Sequence, residues 1–166
     1  MEDKMSNNNS KSTKTPIKLN DIYYKNAADI DTQKILDFWE NNDITISTSD
    51  NIDEINIAKH IFPQLFIIAL EKVSSEGKEE KIAGTVWGNF DGRRGFVVHL
   101  ATRRDLRGIG LGKKLMELVE YEFHKLNCYK VHLFVEIHNT KVIDFYEKLG
   151  YKVRKDVITM SKTLRK

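Results

Sequence analysis

The sequence of 166 residues does not predict a disulfide, a membrane span or a targeting signal. Its single cysteine, Cys128, cannot form an internal disulfide or a cysteine-based metal site, so we expect no metal and a reducing compartment. No apolar run approaches the ~20 residues that span a bilayer. Residues 1–4 lack the basic and then apolar order of a signal peptide. These absences predict a cytoplasmic protein, with the nucleus as the alternative, and no membrane partner.

The net charge of the chain is small. Lysine and arginine number 27 and the acidic residues 24, and the net charge of +3 does not favour a nucleic-acid partner. It is compatible with a small polyanionic ligand. Residues 1–15 are rich in Asn, Ser, Lys and Thr and contain no aromatic residue, which predicts a disordered tail because little surface can be buried. Residues 16–166 then have the length of a single domain.

Hydrophobic periodicity predicts an alternation of strands and helices. Helices are expected from a cap at Asp29 or Asp31 through Trp39, over 52–61 with an end before Pro63, over 108–126 and over 140–149. Strands are expected over 17–24, 65–73, 81–90, 96–102, 130–137, 151–157 and 157–164, with a polar turn over 74–80. The predicted order is β-α-α-β-β-β-α-β-α-β-β, an α+β fold whose largely antiparallel sheet is flanked by helices.

A glycine-rich turn joins the fourth predicted strand to the third long helix. Residues 107–114 read R-G-I-G-L-G-K-K, and the helical apolar spacing begins directly afterwards. Glycines at such a turn allow backbone N–H groups at a helix start to face a bound anion without interference from a Cβ. The pattern predicts a phosphate-bearing ligand, although close packing alone would also explain the glycines.

Spacing separates the known phosphate-binding patterns. A Walker loop would need glycine where the chain has Arg107 and a hydroxyl residue where it has Lys114. A dinucleotide-binding fingerprint would need its third glycine at Lys113. Both nucleotide patterns therefore fail.

Arg107, Gly110 and Gly112 instead match R/Q-x-x-G-x-G/A, which resembles the signature of the GNAT N-acetyltransferase superfamily. A second segment, N-T-K-V-I-D-F-Y-E-K-L-G-Y over 139–151, is similar to that family's N-x-x-x-x-x-F-Y-x-x-x-G-F/Y motif. It follows one strand after the first motif, as the family requires. Residues 84–95 and 161–164 further resemble the YpeA-type acetyltransferases. The resemblance implies a GNAT fold, with strands splayed apart where coenzyme A binds.

The resemblance also implies a function. The expected activity is transfer of an acetyl group from acetyl-CoA directly to a primary amine, carried by a small molecule or by a protein. The alternative is a non-catalytic sensor or scaffold that binds acyl-CoA. The expected partner is an amine acceptor of unknown identity, and the chain is expected to be a monomer or a homodimer.

Coenzyme contacts are carried over from the family by position. The backbone over 107–113 would bind the pyrophosphate, the strand over 100–102 would pair with the pantetheine arm, and Asn139 would hydrogen-bond that arm. The predicted cofactor-binding residues are Leu100, Ala101, Thr102, Arg107, Gly108, Ile109, Gly110, Leu111, Gly112, Lys113 and Asn139.

The resemblance points to a general acid, and the expected chemistry also calls for a base. Tyr146 would be the general acid that protonates or hydrogen-bonds the departing thiolate, unless it is only a packed tyrosine beside Phe145. The acceptor amine also has to lose a proton. His99, on the strand before the turn, and Glu136, near the end of the next strand, are both candidates for the base.

Overall fold

The computed structural model describes residues 16–72 and 80–164. The predicted tail over 1–15 lies outside the described residues. So does the predicted polar turn over 74–80, apart from Glu80.

In the described residues, five strands form one sheet in the order in which they occur along the chain. They are β1 (Ile22–Asn26), β2 (Phe66–Glu71), β3 (Ile82–Phe90), β4 (Arg94–Thr102) and β5 (Lys130–Leu133). The first four pair antiparallel, whereas β5 runs parallel to β4 because α3 crosses over between them. The predicted mixed, mostly antiparallel sheet of an α+β fold is confirmed.

Within residues 16–72 and 80–164, four α-helices flank the sheet: α1 (Thr32–Glu40), α2 (Ile52–Ile61), α3 (Leu111–Lys125) and α4 (Thr140–Lys148). Asp31, one of the two predicted caps, accepts a hydrogen bond from the Gln33 N–H at 2.9 Å and so begins α1. The bounds of α2 are those predicted. Asn51 caps its start, and the helix ends before Pro63 because the residue preceding a proline avoids helical geometry.

The core consists of two buried clusters, one on each face of the sheet. β2 contributes to both, because alternate side chains of a strand point to opposite faces: Phe66 and Ile68 pack with α1 and α2, and Ile67 and Ala69 pack with α3. The cluster under α3 contains Leu111, Leu115, Met116, Val119 and Phe123, spaced to cover one helical face. Burial on both sides explains the continuous apolar run of β2.

Glycines in the sheet let α3 approach closely. A Cβ added at Gly88 or at Gly95 would lie 2.7 Å or 2.8 Å, respectively, from the ring of Phe123. Any larger residue at either position would push the helix away from the sheet. The close approach fixes how the last turns of α3 lie on β3 and β4.

Several element boundaries differ from the prediction. β1 begins later than predicted because Leu19–Asp21 form a short 3₁₀ turn, and β5 ends at Leu133. The two closing strands predicted over 151–164 are wrong, since the described residues there form no strand. Arg154 and Asp156 pair at 2.7 Å around a bend, and apolar residues such as Ile158 stay exposed. Within the described part of the chain, no helix is long and apolar enough to cross a membrane.

Candidate active site

A gap opens between β4 and β5 at the carboxyl end of β4. The two strands pair from Arg94 and Lys130 up to Val97 and Leu133, and there the parallel pairing stops. β4 continues to Thr102, paired only with β3 on its other side. Among the described residues, the backbone over 98–102 therefore has no strand partner on the β5 side. The predicted splay is observed as this loss of pairing on the β5 side of β4.

A β-bulge lies at the start of this unpaired stretch. Thr85 faces Ala101 and Trp87 faces Val98, so His99 and Leu100 of β4 together face Val86 of β3. His99 has a φ of +49°, in the left-handed region. Bulges bend a strand and redirect its side chains, and they occur often beside active sites.

The glycine-rich turn connects β4 to α3 by way of a 3₁₀ turn at Arg104–Leu106. Gly108 and Gly110 have φ values of +86° and +90°, which L residues with a Cβ rarely adopt. Gly110 is the N-cap residue of α3 and has no side chain to accept from the first N–H groups. Those groups have no partner within the helix, and together with the helix dipole they favour an anion. The structure thus forms the turn that the sequence predicted, although the helix begins at Leu111 rather than at residue 108.

The side chains of the turn differ in exposure. Leu111 is buried in the core and Ile109 is half-buried, so the groups that they offer to a ligand are backbone groups. Lys113 is exposed, and its Nζ lies 3.9 Å from Glu117 Oε1. A Cβ at Gly112 would lie 3.5 Å from the Phe145 ring and 3.8 Å from the Thr102 methyl group. Gly112 therefore lines a space between the end of β4 and α4.

Arg107 is held by the loop that joins α1 to α2. Its Nη2 donates to Asp43 Oδ2 at 2.8 Å and to the Asn42 carbonyl at 3.3 Å. Arg104 pairs with the other oxygen of the same carboxylate. The hydrogen bonds from Arg104 and Arg107 hold the pKa of Asp43 below its ordinary value. Asp43 thus links the α1–α2 loop to the glycine-rich turn.

Tyr146 lies on α4 and is buried in the cluster beneath α3. Its ring packs edge-on against Phe145 at 5.1 Å and against Tyr151 at 5.6 Å between centroids. Burial raises the pKa of Tyr146 to about 12, so the phenol remains a proton donor at neutral pH. The neighbouring Tyr151 hydroxyl instead donates to Glu120 at 2.8 Å.

Asn139 and Glu136 lie in the segment that follows β5. Asn139 is exposed at the start of α4, and its side chain does not cap the helix, so the amide is open to a ligand. The Asn139 N–H donates to the Glu136 carbonyl at 2.8 Å. Glu136 is exposed outside β5, so its predicted place within a strand is wrong because β5 ends three residues earlier.

His99 has a partner that the sequence did not indicate. Its Nε2 lies 2.7 Å from Oδ1 of Asp50, a buried residue at the end of the α1–α2 loop. The loop separates the first two predicted helices, and its residues 41–50 are mostly polar. The sequence offered one signal for a functional role of the loop, an aspartate near each of its ends, since loops often carry functional groups. It could not show which residues those aspartates contact.

A cavity of about 410 Å³ lies beside α3, toward β1. Its lining residues are Leu19, Asn20, Ile22, Tyr24, Lys72 and Lys114. Neither Tyr146 nor His99 contributes to it. The cavity therefore does not hold the predicted catalytic residues.

His132 does not join His99 in a metal site. It lies opposite Phe96 in the parallel pairing of β4 with β5, and the two rings stack at 5.6 Å between centroids. Across residues 16–72 and 80–164, no three His, Cys, Asp or Glu side chains converge in a way that could hold a metal ion.

The sheet, with its strand gap beside the glycine-rich start of α3, agrees with the fold that the resemblance implied, and comparison with known proteins identifies the family. The model of the acetyltransferase (GNAT) family matches residues 35–151. The chain belongs to this family.

Relatives and solved structures agree with that assignment. An acetyltransferase of Pectobacterium atrosepticum is 34% identical over 134 residues, which are 81% of this chain and 89% of the relative. A chain of the NatC complex bound to Gag peptide and CoA has a TM-score of 0.69 at 22% identity, over 81% of this chain and 87% of that one. Arabidopsis thaliana Naa50, in complex with the bisubstrate analogue CoA-Ac-MVNAL, has a TM-score of 0.63 at 17% identity, over 81% and 85%. At such identities the two structures establish the fold alone.

Proposed function

We propose that this acetyltransferase transfers an acetyl group from acetyl-CoA directly to a primary amine. The observation that carries the proposal is the gap between β4 and β5, which opens at the end of β4 that leads into the glycine-rich start of α3. The unpaired backbone over 100–102 can pair with the amides of pantetheine. The N–H groups over 107–113 and the exposed amide of Asn139 supply the other polar contacts to the coenzyme.

The chemistry requires two proton transfers. The amine nitrogen attacks the thioester carbon and loses a proton to a base, for which His99 and Glu136 are the candidates. The tetrahedral intermediate then collapses with loss of the thiolate. Tyr146 donates its proton to the sulfur as the carbon–sulfur bond breaks, since the phenol is protonated at neutral pH.

Family relatives suggest which amines to test first. The similar chain in the NatC complex was solved with a peptide, and Naa50 with a peptide-derived bisubstrate analogue. The resemblance to YpeA-type acetyltransferases remains a prediction and specifies no acceptor. We therefore place the amino terminus of a peptide ahead of a lysine side chain or a polyamine.

An acceptor panel tests the proposal. The full chain is mixed with acetyl-CoA and one of three amines: the peptide Met-Val-Asn-Ala-Leu, an N-blocked peptide containing one lysine, or spermidine. Release of free thiol is followed, and the acetylated product is identified by mass spectrometry. We expect one amine to be acetylated at a rate that saturates with its concentration. Binding of acetyl-CoA without thiol release on any amine would instead favour the sensor or scaffold.

A further inference from the structure

The backbone of His99 is held in an unusual conformation where β4 leaves β5. Its φ of +49° is rare for a residue with a large side chain and persists only when the surroundings impose it. The Thr85 hydroxyl donates to the His99 carbonyl at 3.1 Å, and the buried Trp39 indole N–H donates to Thr85 Oγ1 at 2.8 Å. A buried hydrogen-bond chain from α1 through β3 thus fixes the bulge.

The imidazole of His99 is fixed as firmly as its backbone. Its Nε2 lies 2.7 Å from Asp50 Oδ1. The ring lies 4.4 Å from the Trp39 ring and 5.9 Å from the Trp87 ring, measured between centroids. The two indole rings present apolar faces to the imidazole. Among the described residues, the carboxylate of Asp50 is therefore the charged group that faces it.

Asp50 is itself positioned by the loop that carries it. Its Oδ2 accepts from the Ser47 N–H at 2.8 Å and from the Ser47 hydroxyl at 2.7 Å, which leaves Oδ1 for the histidine. Burial raises the pKa of Asp50, but the hydrogen bonds from Ser47 and His99 outweigh burial and hold that pKa below its ordinary value. Asp50 is therefore ionised at neutral pH and accepts a proton-bearing nitrogen.

An ionised partner at Nε2 determines the tautomer of the neutral histidine. Nε2 carries the hydrogen that Asp50 accepts, and Nδ1 keeps its lone pair. No described residue hydrogen-bonds Nδ1. Nδ1 is bonded to Cγ, the ring atom nearest the backbone, so its free lone pair lies close to the bulge. The next residue, Leu100, belongs to the stretch of β4 that has no strand partner on the β5 side among the described residues.

His99 and Tyr146 belong to opposite faces of the sheet. The histidine packs against Trp39, in the cluster beneath α1 and α2, whereas Tyr146 is buried beneath α3. The gap between β4 and β5 connects the two faces. A thioester in that gap can meet an amine and its base from one side and a proton donor for sulfur from the other.

On the basis of the proposed function, we propose that His99 is the catalytic base and that Asp50 is the positioning residue that fixes its tautomer. As the amine nitrogen bonds to the acetyl carbon, its proton moves to Nδ1 of His99, and Asp50 stabilises the imidazolium. The carbon–sulfur bond then breaks, and its electron pair leaves on sulfur, which takes the proton of Tyr146. Solvent restores both side chains. The exposed Glu136, without such a fixed partner, is not the base.

The pH dependence of kcat/KM tests the pair, measured with acetyl-CoA and the best amine of the panel. Asp50→Asn keeps the shape of the side chain but removes the charge. We expect kcat/KM to fall about 10²-fold, within the usual contribution of a general base. The acidic limb should move to lower pH because the imidazolium loses its counterion, while the KM for acetyl-CoA is unchanged. The matched control is Asp37→Asn. Asp37 is exposed on α1 and accepts a hydrogen bond from the Gln33 side chain. An unchanged profile in Asp50→Asn overturns the inference.

Two further measurements guard against a variant that merely misfolds. His99→Gln is made alone and together with Asp50→Asn. If the two residues act as one catalytic unit, His99→Gln already disables that unit, so the double variant should be no slower than His99→Gln alone. Additive losses overturn the pairing. Nitrogen-15 spectra of labelled histidine in the wild-type chain should show hydrogen on Nε2 of His99, and hydrogen on Nδ1 alone also overturns it. If the wild-type chain acetylates no amine, the proposed function fails first, and the inference fails with it.

Discussion

Arg107 Nη2 lies 2.8 Å from Asp43 Oδ2, a contact that joins the glycine-rich turn to the loop between α1 and α2. The same loop reaches His99 through Asp50 at its other end. One connection between two helices therefore touches both the expected coenzyme side and the expected acceptor side of the site. If bound coenzyme draws Arg107 toward its pyrophosphate, the contact between Arg107 and Asp43 changes, and so does the position of this loop.

Asp43→Asn should increase the affinity for acetyl-CoA several-fold. Asp43 partly neutralises Arg104 and Arg107, and its removal leaves both arginines free for phosphate oxygens. Asn tolerates the φ of +67° at this position, so the loop is expected to keep its shape. Isothermal titration at low and high salt measures the effect, with Asp53→Asn in α2 as the control. Weaker binding would mean that Asp43 orders the turn rather than competing with the ligand.

Gly112→Val should abolish acetyl-CoA binding without unfolding the chain. The added Cβ makes ordinary contacts with Phe145 and Thr102, and the two methyl groups extend into the space expected for the coenzyme. Gly112→Ala, with one carbon, should weaken binding less. Direct titration gives the Kd, and thermal melting of the unliganded variants shows whether the fold survives. Wild-type affinity in the valine variant would refute the assignment of the turn.

Tyr146→Phe should lower kcat about 10²-fold, as expected for loss of a general acid, with the KM for acetyl-CoA unchanged. Tyr151→Phe is the matched control, because it removes a hydroxyl from the adjacent ring. That variant loses a hydrogen bond to Glu120, which should cost about 1 kcal/mol of stability while kcat is kept. Steady-state kinetics and urea unfolding separate the two effects. Equal kcat values for wild type and Tyr146→Phe would make Tyr146 a packing residue only.

Tyr146 should also contribute to loss of stability in alkali. Burial raises its pKa from 10.0 to about 12, so between these values the folded chain holds a proton that the unfolded chain releases. The free energy of unfolding therefore falls as pH rises from about 10 to about 12, by up to ~2–3 kcal/mol from this residue. Tyr146→Phe should show a shallower decline in urea unfolding across that range. An identical decline in both proteins would mean that the phenol is not held neutral by the fold.

The local elements could be predicted from sequence because their signals are local. α2 begins after Asn51 and ends before Pro63, two residues whose backbone preferences are intrinsic. The turn around Gly110 was recognisable for the same reason. The closing strands over 151–164 were not, since alternation along a strand says nothing about whether an edge is available to pair with it.

The partners within the site could not be read from the chain. Asp43 lies 64 residues from Arg107, and Asp50 lies 49 residues from His99. Only the folded sheet, with the α1–α2 loop laid across the end of β4, brings these pairs together. His99 was a candidate base by its residue type and its place on the strand before the turn, whereas the contact with the Asp50 carboxylate is a property of the tertiary structure.

Binding of acetyl-CoA to the glycine-rich turn is tested most directly by thermal melting of the full chain with acetyl-CoA, ATP or NAD. Ligands that bind the folded state raise the melting temperature, and once the ligand exceeds its Kd the rise grows with the logarithm of its concentration. Acetyl-CoA should give such a concentration-dependent rise in the wild-type chain but not in Gly112→Val, with little effect from ATP or NAD. A rise with ATP alone, or an equal rise with acetyl-CoA in Gly112→Val, would contradict the assignment.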